Sequence, residues 1–261
     1  MSSTEPAIAY QHVSKSFARG QTKAVDDVSL AVAPGEFLAI VGGSGSGKTT
    51  LLRLANRLIV PDSGTVRVLD KDVQSLDPIE LRRSIGYVFQ NGGLFPHMTV
   101  AQNIGITPRL LGDDPQKIST RVDELIDLVR LDRSYRDRMT QQMSGGQRQR
   151  VGVARALAAN PKIVLMDEPF GALDPLTRDA LGEDYKQLHR KLGLTTVMIT
   201  HDMAEAVLLA DRIAVMEKGH LRGQGTAAQL SRNDDEYVSQ LLGTPRRQAE
   251  RLQALLPKST S

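Results

Sequence analysis

The stretch FLAIVGGSGSGKTT, residues 37–50, leaves the chain little choice of fold. Five apolar residues, Phe37–Val41, run into a glycine-rich turn, which fits a strand buried on both faces of a sheet. Beyond Gly47, residues Leu51, Leu52, Leu54, Ala55 and Leu58 recur at helical spacing, so a helix is expected from Gly47 to Leu58. The segment between them, Gly42-Gly43-Ser44-Gly45-Ser46-Gly47-Lys48-Thr49, fits G-x-x-x-x-G-K-[ST]. Glycines let successive backbone N–H groups curl round a phosphate, a geometry that side chains obstruct. The helix that follows adds its positive N-terminal end. In such a loop Lys48 reaches the β- and γ-phosphates of a nucleotide and the Thr49 hydroxyl ligates Mg²⁺, with Thr50 next to them.

The rest of the chain alternates in a way that suits a mainly parallel α/β sheet. Strands are expected at 8–17, 24–32, 65–73, 85–90, 162–168, 195–201 and 211–219. Pro61-Asp62-Ser63-Gly64 reads as a turn. Between Asn91 and Asn160 the strand signal fades. Helical patterns replace it, including one at 117–131 with Ile118, Val122, Leu125, Ile126 and Val129 on one face. The expected organisation is therefore a core of residues 1–90 and 161–240 with a helical segment, 91–160, inserted. A polar, basic terminal helix and tail follow at 241–261.

Composition removes several alternatives. The chain has 261 residues, 33 Lys and Arg against 30 Asp and Glu, and no cysteine. Disulfides and thiolate metal sites are excluded, and a net charge of +3 is too small to argue for nucleic acid. His12, His97, His189, His201 and His220 show no metal-ligand spacing. No secretory signal is apparent and no segment approaches the ~20 apolar residues that span a bilayer. The expectation is a cytoplasmic chain that meets a membrane only through a partner.

Three further features carry chemistry. IVLMDEP places Asp167 and Glu168 at the end of an apolar strand, where neighbouring side chains face opposite ways and so take different tasks. Asp167 is assigned to Mg²⁺ and Glu168 to the attacking water as general base, with Pro169 expected to hold Glu168 extended. His201 ends another buried strand, at the sheet edge where ligands bind in open α/β folds. From position alone it is equally a γ-phosphate contact or a strand-end hydrogen-bonder. Gln90 ends the strand IGYVFQ and reads from spacing as a loop amide or as a contact to Mg²⁺ or water. The stretch MSGGQ (143–147) fits an S-x-x-Q capping box that needs no ligand. Two glycines in a first helical turn are poor helix formers, however, so the local evidence reaches a second anion site.

In the order GGSGSGKT, Gln90, MSGGQ, IVLMDEP, GALD with Asp174, and His201, the sequence resembles the nucleotide-binding subunit of ATP-binding cassette (ABC) transporters over roughly residues 7–240. That resemblance implies a RecA-like P-loop NTPase core with an antiparallel β subdomain and an inserted helical subdomain. It implies ATP and Mg²⁺ as cofactors and ATP hydrolysis involving Lys48, Glu168 and His201. It also implies two copies paired head-to-tail, with Ser144, Gly145, Gly146, Gln147 and Asp174 completing the partner's ATP site. Phe17 takes the position that stacks on adenine, Gln90 is the Q-loop residue, and Thr49, Gln90 and Asp167 surround the metal. Met143 stands where the family usually has Leu, a swap that keeps apolar volume.

The stretches ANRL, LRRSIGYVFQNGGLFPHMTVAQNI and YRDRMTQQMSGGQRQRVGVARALAANPKIVLMDEPFGALDP are similar to the importer branch for osmoprotectants and quaternary amines such as glycine betaine, choline and carnitine. The likeness implies integral membrane permease subunits docking at GLFPHMTV around Phe95, an extracytoplasmic solute-binding protein, and a place on the cytoplasmic face of a bacterial membrane. Many members carry a regulatory CBS-domain pair after the cassette, and none precedes Ser261 here. Another small polar solute is the alternative. A soluble ABC ATPase of DNA repair or translation is opposed by the lack of a heptad run and of a basic stripe.

Overall fold

The computed structural model describes residues 5–17, 22–90 and 93–255. Residues 91–92 of the expected insert and 256–261 of the expected tail lie outside the described residues. The main sheet holds β3 (Phe37–Val41), β6 (Ile85–Val88), β7 (Ile163–Asp167), β8 (Thr195–Thr200), β9 (Arg212–Glu217) and β10 (His220–Gly225), in the order β10-β9-β3-β8-β7-β6. All neighbours are parallel except β10, an antiparallel edge strand that the alternation pattern missed. A second, antiparallel sheet runs β2-β1-β4-β5, from β1 (Ile8–Phe17), β2 (Thr22–Val32), β4 (Ser63–Val68) and β5 (Lys71–Asp72). Between β6 and β7 stand α3 (Val100–Ile104), α4 (Ile106–Leu111), α5 (Pro115–Leu128) and α6 (Gly145–Leu157). The fold is thus the α/β class expected, a parallel core with an antiparallel sheet and an inserted helical segment.

The alternation of β3 explains the layering. Phe37, Ala39 and Val41 join one core cluster, with Val122, Leu125 and Ile126 of α5 and Val151 and Val153 of α6. Leu38 and Ile40 point the other way. They join a second cluster with Leu51, Leu52 and Leu54 of α1 (Lys48–Ala55) and Ile8, Val28 and Val66 of the antiparallel sheet. The same division repeats in β7, with Val164 and Met166 on one side and Ile163 and Leu165 on the other. Each such Leu or Ile, lifted wholly out of water, contributes about 1.5–3 kcal/mol. With both faces of β3 and β7 committed to cores, the ends of the parallel strands are where exposed polar side chains can gather.

One expected strand divides. Residues 65–73 alternate like a single strand, but Leu69 and Asp70 adopt φ of 49° and 62° and reverse the chain between β4 and β5. Two consecutive positive φ values match the right-handed twist of a hairpin, and the sequence hides them because Leu is an unusual residue for that position. Leu69 is half exposed, so its side chain gives little packing in return. Leu69→Asn is therefore expected to raise the free energy of unfolding in urea by about 0.5–1 kcal/mol, by relieving left-handed strain.

Candidate active site

The loop after β3 is shaped by close approaches that only glycine permits. A Cβ on Gly42 would lie 2.1 Å from the Met216 carbonyl oxygen, and one on Gly47 2.0 Å from that of Ala24. Gly42, Gly45 and Gly47 all have positive φ. Lys48 opens α1 and folds back over the loop. Its Nζ donates to the carbonyls of Gly42 and Gly43, both at 2.8 Å, and to Ser46 Oγ at 3.4 Å. Burial lowers the Lys48 pKa, against the opposing pull of Glu168 and Asp167. A buried ammonium bonded to carbonyl dipoles rather than to a carboxylate is poised for an anion.

Strands β7, β8 and β6, next in line from β3, deliver the rest. Asp167 ends β7 and accepts from Thr49 Oγ1 at 3.1 Å through Oδ1 and from the Tyr87 hydroxyl at 3.3 Å through Oδ2, with Arg53 at 3.8 Å. Burial, followed by the Asp167 charge, pushes the Tyr87 phenol pKa up. Glu168 has separate partners. Gln90 Nε2 donates to its Oε2 at 3.1 Å, and His201 Nδ1 lies 3.3 Å from the same oxygen. The two carboxylates thus head different clusters, and Gln90 belongs to the Glu168 cluster rather than to Thr49 and Asp167.

Glu168 departs from the extended conformation expected before Pro169: its φ is 47°. Its N–H still continues the ladder to Ile199 O at 3.0 Å, while its carbonyl turns back to accept from Gly171 N at 3.3 Å. That abrupt reversal needs left-handed backbone, which proline's bias against the right-handed region of its predecessor leaves open. Such strain in a non-glycine residue concentrates at functional sites.

A cleft of about 360 Å³ lies over the loop, lined by Phe17, Ala24, Ser44, Gly45, Ser46, Gly47, Lys48, Thr49, Thr50 and Glu168. Phe17, the last residue of β1, offers a half-exposed ring there. Ser144, Gly145, Gly146, Gln147 and Asp174 do not line it. Ser144 caps α6 in a closed capping box: Gln147 N donates to Ser144 Oγ at 3.3 Å, and Ser144 N to Gln147 Oε1 at 2.9 Å. Asp174 caps α7 (Pro175–Leu192) by accepting from Thr177 N at 3.0 Å, and hydrogen bonding to Thr177 lowers its pKa. A Cβ on Gly146 would meet Thr177 Cγ2 at 2.6 Å, whereas one on Gly145 finds Leu173 at 3.7 Å. Gly146 therefore has a packing reason within this chain. Gly145 has none.

Three site residues escaped the sequence reading. Arg53 lies one helical turn beyond Thr49, and Tyr87 three residues before Gln90. Arg178 joins the Leu173 carbonyl (3.2 Å) to Asp202 (3.4 Å), tying the segment before Asp174 to that after His201. Spacing from a known site residue was the available signal in each case.

Residues 25–171 match the family model described as ABC transporter. The chain is 48% identical over 240 residues to the choline transport ATP-binding protein OpuBA of Bacillus subtilis, an alignment covering 92% of this chain and 63% of that protein. It is 48% identical over 237 residues to the glycine betaine uptake system ATP-binding protein YehX of Escherichia coli, covering 90% and 76% respectively. Among solved structures, the dimeric bacterial ABC transporter cassette MJ0796 matches with a TM-score of 0.77 at 34% identity, over 84% of this chain and 98% of that one. The chain thus spans less than two thirds of OpuBA's length.

The Gly146 contact separates packing from binding. Gly146→Ala is expected to lower the unfolding free energy by about 1 kcal/mol, and Thr177→Ala in the same chain to restore most of it. Gly145→Ala leaves stability within about 0.5 kcal/mol, as thermal denaturation of the three variants beside wild type checks.

Proposed function

The chain belongs to the ABC transporter ATP-binding family, and on that premise we propose that it hydrolyses ATP to drive import of osmoprotectants of the glycine betaine, choline and carnitine class. The convergence of Lys48, Asp167 and Glu168 carries the ATPase reading. Both carboxylates act on the lysine's protonation, and Thr49, beside that lysine, bonds Asp167.

Lys48 and the loop N–H groups hold the phosphates, and Phe17 stacks on the base. Thr49 and Asp167 fit Mg²⁺: a hydroxyl and a carboxylate, hard oxygen donors, already meet at 3.1 Å, and Tyr87 anchors the second carboxylate oxygen. The ion, when bound, draws charge from the phosphate oxygens. Glu168 accepts the proton of the attacking water. Gln90 and His201 both occupy its Oε2, so Oε1 is the atom left for that proton. Ser144, Gly145, Gly146, Gln147 and Asp174 complete the site of a second copy.

Import needs partners. Among the described residues no helix is long and apolar enough to cross a membrane. Permease subunits dock where Phe89 and Phe95, both exposed, flank a groove with Tyr87, Ile106 and Leu110, and the chain works at the cytoplasmic face beneath them. Tyr87 lines this groove and bonds Asp167, so one side chain touches both the docking surface and the metal carboxylate. The solute class rests on the names and identity of the relatives, and an extracytoplasmic solute-binding protein supplies recognition.

Glu168→Gln keeps the hydrogen-bonding shape and removes the base. Phosphate release is expected to fall at least ~100-fold while ATP binding persists. Wild-type turnover in that variant contradicts the assignment. For the solute, proteins co-purified with the chain from membranes are expected to include a binding protein with affinity for a quaternary amine.

A further inference from the structure

We propose that Tyr237 is a positioning residue for the nucleotide, holding the first peptide of the phosphate loop from a helix that lies outside the segment matched by the family model. The inference rests on the ATP-binding reading of the preceding section. The peptide unit joining Gly42 and Gly43 is held at both ends. Its carbonyl accepts from Lys48 Nζ at 2.8 Å, and its N–H donates to the Tyr237 hydroxyl at 3.0 Å. Gly43 is one of the unspecified positions of the motif, and the bond is to its backbone, so no sequence pattern announces it.

The placement of Tyr237 is built. It belongs to α10 (Glu236–Leu242), whose cap, Asp235, accepts from Val238 N at 3.1 Å and pairs with Arg222 of β10 at 2.9 Å. Val238 is wholly buried, and the Tyr237 ring packs on the same core. A Cβ on Gly223 of β10 would stand 3.2 Å from both Val238 and Asn233, so the glycine lets α10 lie close. The loop is pinned on its other side as well: Gly219 N donates to Ser46 O at 3.1 Å. Lys48 can hold the Gly42 carbonyl in place only if that peptide does not rotate, and the Tyr237 hydroxyl is its brake. Removing it lets the peptide turn, spreads the conformations of Lys48 and lowers affinity for phosphate groups. By linkage, a nucleotide that orders the loop must also steady α10.

Tyr237→Phe removes the hydroxyl and leaves the ring. Titration calorimetry with ADP and Mg²⁺ is expected to show a dissociation constant raised roughly 3- to 10-fold, the worth of one hydrogen bond, and the KM for ATP rises in parallel. The melting temperature without nucleotide stays within about 2 °C of wild type, because the ring and its packing remain. In the wild type, ADP slows amide exchange across residues 236–242, and in the variant that protection is lost. An unchanged dissociation constant overturns the inference, as does a lowered melting temperature with unchanged affinity, which marks a purely structural tyrosine. A wild type that binds no nucleotide overturns the functional reading and this inference together; normal wild-type binding with an unaffected variant overturns the inference alone.

Discussion

A parallel sheet covered on both faces leaves its strand ends as the place for reactive side chains, and the grouping of Lys48, Gln90, Asp167, Glu168 and His201 follows from that constraint. The side chains of β3 and β7 are divided between two cores, one shared with α5 and α6 and one with α1 and the antiparallel sheet. Because β6, β7, β8 and β3 are successive parallel neighbours, their carboxyl ends lie side by side. Gln90, Asp167 with Glu168, His201 and the phosphate loop follow those four ends. No long-range folding accident is needed to assemble them. Strand order does it.

The legible part of this chain was the part whose side chains obey local rules. The buried run Phe37–Val41, the glycine loop and the helix from Lys48 follow from hydropathy and backbone freedom alone. The two carboxylates were assigned separate tasks from strand alternation, and they do have separate partners. Backbone reversals were illegible. Leu69 and Glu168 both take left-handed conformations that their side chains disfavour, because the hairpin and the sheet edge demand them. Also hidden were residues that act on another element's backbone or on a neighbour already identified. Arg53 and Tyr87 are second partners of Asp167, and Tyr237 reaches a loop almost two hundred residues earlier in the sequence.

The Ser144–Gln147 segment shows how a local rule and a functional role coexist. The capping box closes within the chain, and Gly146 is explained by Thr177. Packing does not explain Gly145, nor the exposed positions of Ser144 and Asp174 at adjacent helix starts. Two capped helix N-termini stand side by side, tied through Gly146 and Thr177, with their caps Ser144 and Asp174 exposed on one surface. On the proposed two-copy reading, that surface is the one offered to the phosphate of another copy. Arg178 connects that surface to Asp202, the residue after His201, and His201 in turn lies 3.3 Å from Glu168.

The proposed function divides one catalytic site between two copies of the chain. Mixing Ser144→Arg, whose outward surface is blocked, with Lys48→Ala, whose loop cannot hold phosphate, tests it directly through steady-state phosphate release. Each variant alone is expected to be inactive, and the mixture to regain hydrolysis, because every mixed dimer pairs one intact loop with one intact Ser144 surface. A mixture as inactive as its parents, from a wild type that hydrolyses ATP, contradicts the claim.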